Sequence, residues 1–132
     1  MLHLPVNQMH EFMITVFSRI GVPEDEARIC ADVLIASDLK GIESHGIGRL
    51  KMYYDRIKLG IQKPTTRIEI IRDRKATAVW DGNHGMGHVI AHKAMQTAID
   101  KARILAWAAW LCAIPPTMAS AVITRKWLPN RI

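Results

Sequence analysis

A histidine and an arginine four residues apart are the side chains of this sequence best suited to chemistry. His45 and Arg49 lie in the run Ser44-His45-Gly46-Ile47-Gly48-Arg49, whose glycines allow the backbone to approach a ligand closely. Imidazole exchanges a proton near neutral pH, and a guanidinium binds a carboxylate through two parallel hydrogen bonds. Such a pair suits chemistry on a small acid bearing a carbonyl or hydroxyl group, although the same spacing also occurs at exposed helix starts.

Three helices are predicted to position these side chains. Apolar residues recur at spacings of three and four, and acidic residues after Pro23 complement the positive end of the second helix. The first predicted helix runs from Val6 to Arg19 and the second from Pro23 to at least Ile35. The third begins between Ser44 and Gly48 and ends before Gly60. In the third helix, His45 and Arg49 would share one side of the first turn.

Beyond Pro64 the pattern becomes that of a sheet. Strands are predicted over 67–72 and 76–80 with a turn at 73–75, followed by a helix over 87–101. The predicted fold class is therefore α/β. Residues 1–60 form a three-helix segment, and residues 61–103 form a β-hairpin and a helix that begin an α/β domain.

Several separated motifs resemble one enzyme family. They are Ala36-Ser37-Asp38-Leu39, Gly41-Ile42-Glu43-Ser44-His45-Gly46, Arg49-Leu50, Tyr53 to Gly60, Pro64, Asp81-Gly82, Gly85, Gly87 and Ala94-Met95. From about Val6 to Arg103 the chain resembles the malate/L-lactate dehydrogenase family, which does not use a Rossmann fold. The resemblance implies an N-terminal, incomplete piece of that fold. It also implies a truncated oxidoreductase whose parent transfers a hydride between NAD(P)H and a 2-oxo acid.

The resemblance also implies roles for three residues. His45 would be the catalytic acid/base that gives a proton to the carbonyl oxygen during reduction. Arg49 would bind the substrate carboxylate, and Ser44 would help orient either group. The cofactor would be NAD or NADP, and the sequence assigns no residues to its binding. The parent protein would be a homodimer. The substrate would be a small 2-oxo or 2-hydroxy acid.

Other motifs favour structural roles. His84, His88 and His92 have a spacing that suits zinc, but His84 precedes the helix and no glutamate completes a zinc-protease pattern. We therefore predict no metal site. Gly82, Gly85 and Gly87 are better explained by a tight turn into a helix than by a dinucleotide-binding loop.

Composition excludes several classes of protein. The 132 residues carry a formal net charge of +6, but three basic residues without any acid follow Arg103, which leaves an ordinary solvated surface elsewhere. Binding of nucleic acid is therefore not expected. Cys30 and Cys112 lack a partner pattern, and the N-terminus lacks the features of a signal peptide, so a cytoplasmic location is predicted.

The segment 104–132 has a different character from the rest of the chain. Residues 104–123 contain no charged side chain, which would suit a membrane anchor, but Pro115-Pro116 interrupts the run. Restoring one base beside codon 103 allows a reading with Gly-Leu-Gly, Asn-Ser-x-His-x-Gly and Gly-Tyr-Tyr, which resembles the next segment of the same family. Our hypothesis is an out-of-frame tail. Nucleotide sequencing that finds the present frame intact, with no dehydrogenase coding downstream, would reject it.

The sequence alone also allows two alternatives to a truncated dehydrogenase. One is a non-enzymatic remnant, either a helical binding module or the product of a degraded pseudogene. The other is a small protein anchored to a membrane by its apolar tail, although association with a membrane is the less favoured interpretation. In each case, the chain alone is expected to have little or no activity.

Overall fold

The computed structural model describes residues 4–105, and this part contains four α-helices and one two-stranded sheet. The helices are α1 (Val6–Arg19), α2 (Glu24–Leu39), α3 (Leu50–Lys58) and α4 (Gly87–Leu105), and the strands are β1 (Glu69–Asp73) and β2 (Ala78–Asp81). Two short 3-10 turns, Glu43–His45 and Ile47–Arg49, lie between α2 and α3. The predicted α/β class, with helices first and then a hairpin and a helix, is confirmed.

The first three helices end in the same way, at a glycine with left-handed backbone. Gly21, Gly41 and Gly60 have φ values of 94°, 72° and 72°, which side chains rarely tolerate. After α2, for example, the Gly41 N–H donates to the Asp38 carbonyl and the Ile42 N–H donates to the Ser37 carbonyl. These bonds satisfy carbonyls that would otherwise be unpaired, so each helix stops at a position set by its own sequence.

The main hydrophobic core lies where α1 and α2 pack against α3 and α4. Its fully buried side chains include Met13, Phe17, Cys30, Leu34, Met86 and Val89. Burial raises the pKa of the Cys30 thiol to about 12, with a smaller contribution from the charge of Glu26. A second cluster joins Ala78 and Trp80 of β2 to Ala94 of α4. The hairpin is therefore fixed to α4 rather than to the helical segment.

A buried carboxylate connects the helical segment to the rest of the structure. Glu26 on α2 is only 4% exposed. One of its oxygens accepts the Thr66 backbone N–H at 3.0 Å, and the other accepts the Lys93 ammonium of α4 at 3.2 Å. Because a buried charge is tolerated only when it is paired, this arrangement fixes α2, the loop before β1 and α4 relative to one another.

The strands differ slightly from their predicted bounds. β1 and β2 are antiparallel, and an irregularity at Ile71 interrupts their register. Asp73 belongs to β1, and the turn is closed by the Arg74 N–H bonding to the Thr77 carbonyl. The predicted turn at 73–75 therefore lies slightly too early in the chain. Ile70 and Ile71 are 58% and 62% exposed.

Most of the segment predicted as an out-of-frame tail lies outside the described residues, as does the apolar run considered as a membrane anchor. Within residues 4–105, no helix is both long enough and apolar enough to cross a bilayer.

Candidate active site

The predicted site residues lie in the connection between α2 and α3. Ser44 and His45 belong to the first 3-10 turn, and Arg49 ends the second. The prediction that His45 and Arg49 share the first turn of one helix is therefore wrong, because α3 begins only at Leu50. The backbone at Gly46, with φ −91° and ψ −149°, separates the two turns.

The break at Gly46 has a direct physical cause in α2. The Asp38 carboxylate accepts the Ile47 backbone N–H at 2.8 Å and lies against the Gly46 backbone. A Cβ atom at position 46 would overlap that carboxylate. Asp38 therefore anchors the loop that carries His45 and Arg49, and glycine is required because of this close approach.

Ser44 contacts both His45 and Arg49. Ser44 Oγ and His45 Nδ1 are 2.9 Å apart, and Arg49 Nε donates to the Ser44 carbonyl at 2.7 Å. Arg49 Nη1 also approaches the sulfur of Met52 at 3.8 Å. Ser44 and His45 are exposed, whereas Arg49 is half-buried. The structure thus brings an imidazole and a guanidinium together at the surface, both oriented through Ser44.

A tyrosine–histidine contact lies one helical turn beyond Arg49. Tyr53 Oη and His88 Nε2 are 3.2 Å apart, and the rings meet edge-to-face with centroids 5.0 Å apart. Burial raises the pKa of the Tyr53 hydroxyl, an effect that the positive charge of Arg49 opposes. Tyr53 packs against the main core, whereas Tyr54 is exposed. The involvement of His88 was missed, because its neighbour Tyr53 is 35 positions away in sequence.

His88 makes the stability of this protein dependent on pH. Burial lowers the pKa of its imidazole from 6.5 to about 4. The unfolded chain therefore binds more protons between these values, so the free energy of unfolding should fall as the pH drops from 6.5 to 4, by up to about 3 kcal/mol. Urea unfolding measured at several pH values in this range should show that the free energy of unfolding depends less on pH in His88→Gln than in wild type. The same pH dependence in both proteins would contradict the assignment of this effect to His88.

The other histidines do not gather around a common centre. His84 precedes α4 with left-handed backbone (φ 60°), whereas His92 is exposed on that helix. Within residues 4–105, no three histidine, cysteine or acidic side chains are placed to share a metal ion.

Two glycines of the loop before α4 are packed against other parts of the chain. A Cβ on Gly82 would overlap Ile90, and a Cβ on Gly85 would lie 2.9 Å from Thr66 Cα. A phosphate cradle needs glycine backbone that is open to a ligand. Gly82 and Gly85 therefore do not fit a nicotinamide dinucleotide, and they form a turn in which the Gly85 N–H donates to the Gly82 carbonyl at 2.8 Å. Nothing lies within 4 Å of a Cβ at Gly87, so this packing argument does not extend to that glycine.

Comparison with known proteins identifies relatives of this chain. A profile of the malate/L-lactate dehydrogenase family matches residues 4–113. The malate dehydrogenase of Pyrococcus abyssi is 46% identical over 100 residues, and the L-sulfolactate dehydrogenase of Methanocaldococcus jannaschii is 47% identical over 93 residues. The structure of malate dehydrogenase from Pyrococcus horikoshii OT3 superposes with a TM-score of 0.82 at 36% identity, covering 84% of this chain.

The matches cover only part of each relative. The aligned region is 76% of this chain but 28% of the Pyrococcus abyssi enzyme, and it covers 32% of the Pyrococcus horikoshii structure. The chain thus spans between a quarter and a third of these relatives. The similarity nevertheless includes all four helices and the hairpin, so the chain belongs to the malate/L-lactate dehydrogenase family.

Proposed function

We propose that this chain is part of a dehydrogenase that interconverts a small 2-oxo acid and its 2-hydroxy acid with NAD or NADP. The observation that carries the proposal is the contact of His45 and Arg49 through Ser44, with His45 Nδ1 2.9 Å from Ser44 Oγ and Arg49 Nε 2.7 Å from the Ser44 carbonyl. The relatives are malate, sulfolactate and hydroxycarboxylate dehydrogenases, which supports acids of this class as substrates.

Arg49 is proposed to bind the substrate carboxylate. Its Nε is occupied by the Ser44 carbonyl, and this bond fixes the plane of the guanidinium. The terminal nitrogens can donate to an anionic ligand, because within residues 4–105 the acceptor near Nη1 is the weak Met52 sulfur. Because Arg49 is half-buried, its charge is partly desolvated and interacts more strongly with a carboxylate than an exposed arginine would.

His45 is proposed to exchange the proton of the reaction. In the reduction, the imidazolium form of His45 would donate its Nε2 proton to the carbonyl oxygen and become a neutral imidazole that keeps its proton on Nδ1, where Ser44 Oγ accepts it. In the reverse reaction, Nε2 of that neutral imidazole, which has no partner within residues 4–105, would accept the hydroxyl proton. Ser44 is thus proposed to set both the tautomer and the ring orientation.

The cofactor is proposed from the family alone. Gly82 and Gly85 are packed against Ile90 and Thr66 and therefore do not fit it. We also propose that the 132-residue chain alone has little or no turnover, that the parent protein is a cytoplasmic homodimer, and that segment 104–132 is out of frame.

Titration of the 132-residue chain with L-malate in a calorimeter tests the carboxylate site. Arg49→Gln should weaken binding about 10- to 100-fold, because a charge-assisted pair of hydrogen bonds is lost. His45→Gln should bind within about twofold of wild type, because a neutral group that transfers a proton adds little to binding of the acid.

Arg72→Gln provides the matched control, since it removes an exposed arginine from β1 while leaving the site intact. Equal affinity of wild type and Arg49→Gln for L-malate would exclude Arg49 as the carboxylate ligand.

A further inference from the structure

A thioether lies directly at the guanidinium of Arg49. Met52 belongs to the first turn of α3, and its sulfur is 3.8 Å from Arg49 Nη1. The two residues are three positions apart, a spacing at which side chains on a helix are neighbours. Because a thioether is only a weak hydrogen-bond acceptor, this contact leaves Nη1 able to donate to a stronger one.

The position of the Met52 sulfur matters because of a bond that Arg49 already makes. Arg49 Nε donates to the Ser44 carbonyl at 2.7 Å. A carboxylate that accepts two parallel hydrogen bonds from Arg49 must therefore use the terminal nitrogens, Nη1 and Nη2. The Met52 sulfur lies beside Nη1. A stronger acceptor formed at this sulfur would compete with the carboxylate for that nitrogen.

Oxidation of the thioether creates such an acceptor. When hydrogen peroxide reacts with methionine, the O–O bond breaks, an S–O bond forms, and water is released. The sulfur loses two electrons and the peroxide gains them. The product is a sulfoxide, whose polar oxygen accepts hydrogen bonds much more strongly than the thioether does.

Met52 is better placed for this reaction than the sulfur-containing residues of the core. Met13 and Met86 are fully buried, whereas Met52 is half-buried. The Cys30 thiol is also fully buried, and burial raises its pKa to about 12, so it reacts poorly with peroxide. Of these four side chains, Met52 is the accessible one, and its sulfur contacts the guanidinium of the candidate site.

We propose that Met52 is a site of reversible oxidation, whose sulfoxide oxygen accepts a hydrogen bond from Arg49 Nη1 and thereby blocks binding of the substrate carboxylate. The blocking effect rests on the proposed function, because it takes Arg49 as the carboxylate ligand. The bond between the sulfoxide and Arg49 needs no substrate. Reversal requires a methionine sulfoxide reductase, which converts two thiols to a disulfide, returns the thioether and releases water.

The experiment compares the 132-residue chain before and after treatment with hydrogen peroxide. Peptide mass spectrometry should find Met52 oxidised before Met13 and Met86. Nuclear magnetic resonance should show the Arg49 Nη protons exchanging with solvent about fivefold more slowly after oxidation, the effect of one added hydrogen bond. Calorimetric titration should show L-malate binding weakened about 10-fold, because one of two charge-assisted hydrogen bonds is lost.

Three variants separate this effect from general oxidative damage. Met52→Gln places an amide oxygen near Arg49 without any oxidant and should reproduce both effects, which decides the matter if peroxide unfolds the chain. Met52→Leu lacks the sulfur, so its affinity for L-malate should be the same before and after peroxide. Met95→Leu removes a half-buried methionine from α4 and should respond to peroxide as wild type does. Sulfoxide reductase with dithiothreitol should restore the oxidised wild type.

The outcomes distinguish this proposal from the proposed function. Unchanged exchange of the Arg49 Nη protons in both oxidised wild type and Met52→Gln overturns the bond to Arg49. An equal loss of L-malate affinity in peroxide-treated Met52→Leu and wild type overturns Met52 as the responsible residue. Slower exchange after oxidation, in a chain whose reduced form binds no L-malate, supports the bond to Arg49 but overturns the role of Arg49 as carboxylate ligand.

Discussion

Gly46→Ala is expected to lower the free energy of unfolding by about 3 kcal/mol and to weaken L-malate binding about 100-fold. The added Cβ would overlap the Asp38 carboxylate, which must then rotate away and release the Ile47 N–H. Both 3-10 turns would lose their anchor, so His45 and Arg49 would move together. Urea denaturation and calorimetric titration of the 132-residue chain measure the two effects.

Gly48→Ala is the matched control for this prediction. The nearest atom to a Cβ at position 48 is the Glu43 carbonyl oxygen at 4.0 Å, so this alanine fits without displacement. A double-mutant cycle adds a second check, because Asp38→Ala removes the carboxylate that the added Cβ would overlap. Gly46→Ala should therefore lower the free energy of unfolding much less in the Asp38→Ala background. Strictly additive costs would show that Asp38 does not explain the requirement for glycine.

Gly85→Ala is expected to destabilise the protein by about 2 to 3 kcal/mol without a direct effect on the site. A Cβ there would lie 2.9 Å from Thr66 Cα and 3.1 Å from the Gly82 carbonyl oxygen, and backbone atoms cannot move aside as a flexible side chain can. The shift would also disturb the bond from the Gln62 amide to the Gly85 carbonyl. Thermal and urea unfolding measure the loss.

A second glycine in the same loop provides the comparison. Nothing lies within 4 Å of a Cβ at Gly87, the first residue of α4. Gly87→Ala should therefore be neutral or stabilising by a few tenths of a kcal/mol, because alanine favours helix. Similar losses for the two variants would mean that the loop is not packed as described.

Local patterns were sufficient to predict most of the fold. The apolar spacing in α1 and the stop at Gly21 depend on neighbours in sequence, and α1 begins and ends where they indicate. The hairpin bounds were less accurate, because an irregularity at Ile71 disturbs the alternation on which strand prediction depends. Such an irregularity is fixed by pairing with β2 and has no signal within β1 alone.

The site was predictable in its residues but not in its geometry. The types and spacing of His45 and Arg49 indicated the chemistry, yet spacing alone favoured one helix turn. The structure differs because the Asp38 side chain, nine residues before Ile47, takes the N–H that an uninterrupted helix would use. The contact of His88 with Tyr53 could not be predicted for a related reason, because it joins α3 to α4, which are far apart in sequence.

The left-handed glycine that ends α2 determines where the loop with Ser44 and His45 begins. The Gly41 N–H donates to the Asp38 carbonyl, the Ile42 N–H donates to the Ser37 carbonyl, and the loop follows immediately. The origin of the loop is thus encoded within a few consecutive residues. Because Lys93 of α4 pairs with Glu26 of α2, that origin is also held relative to α4.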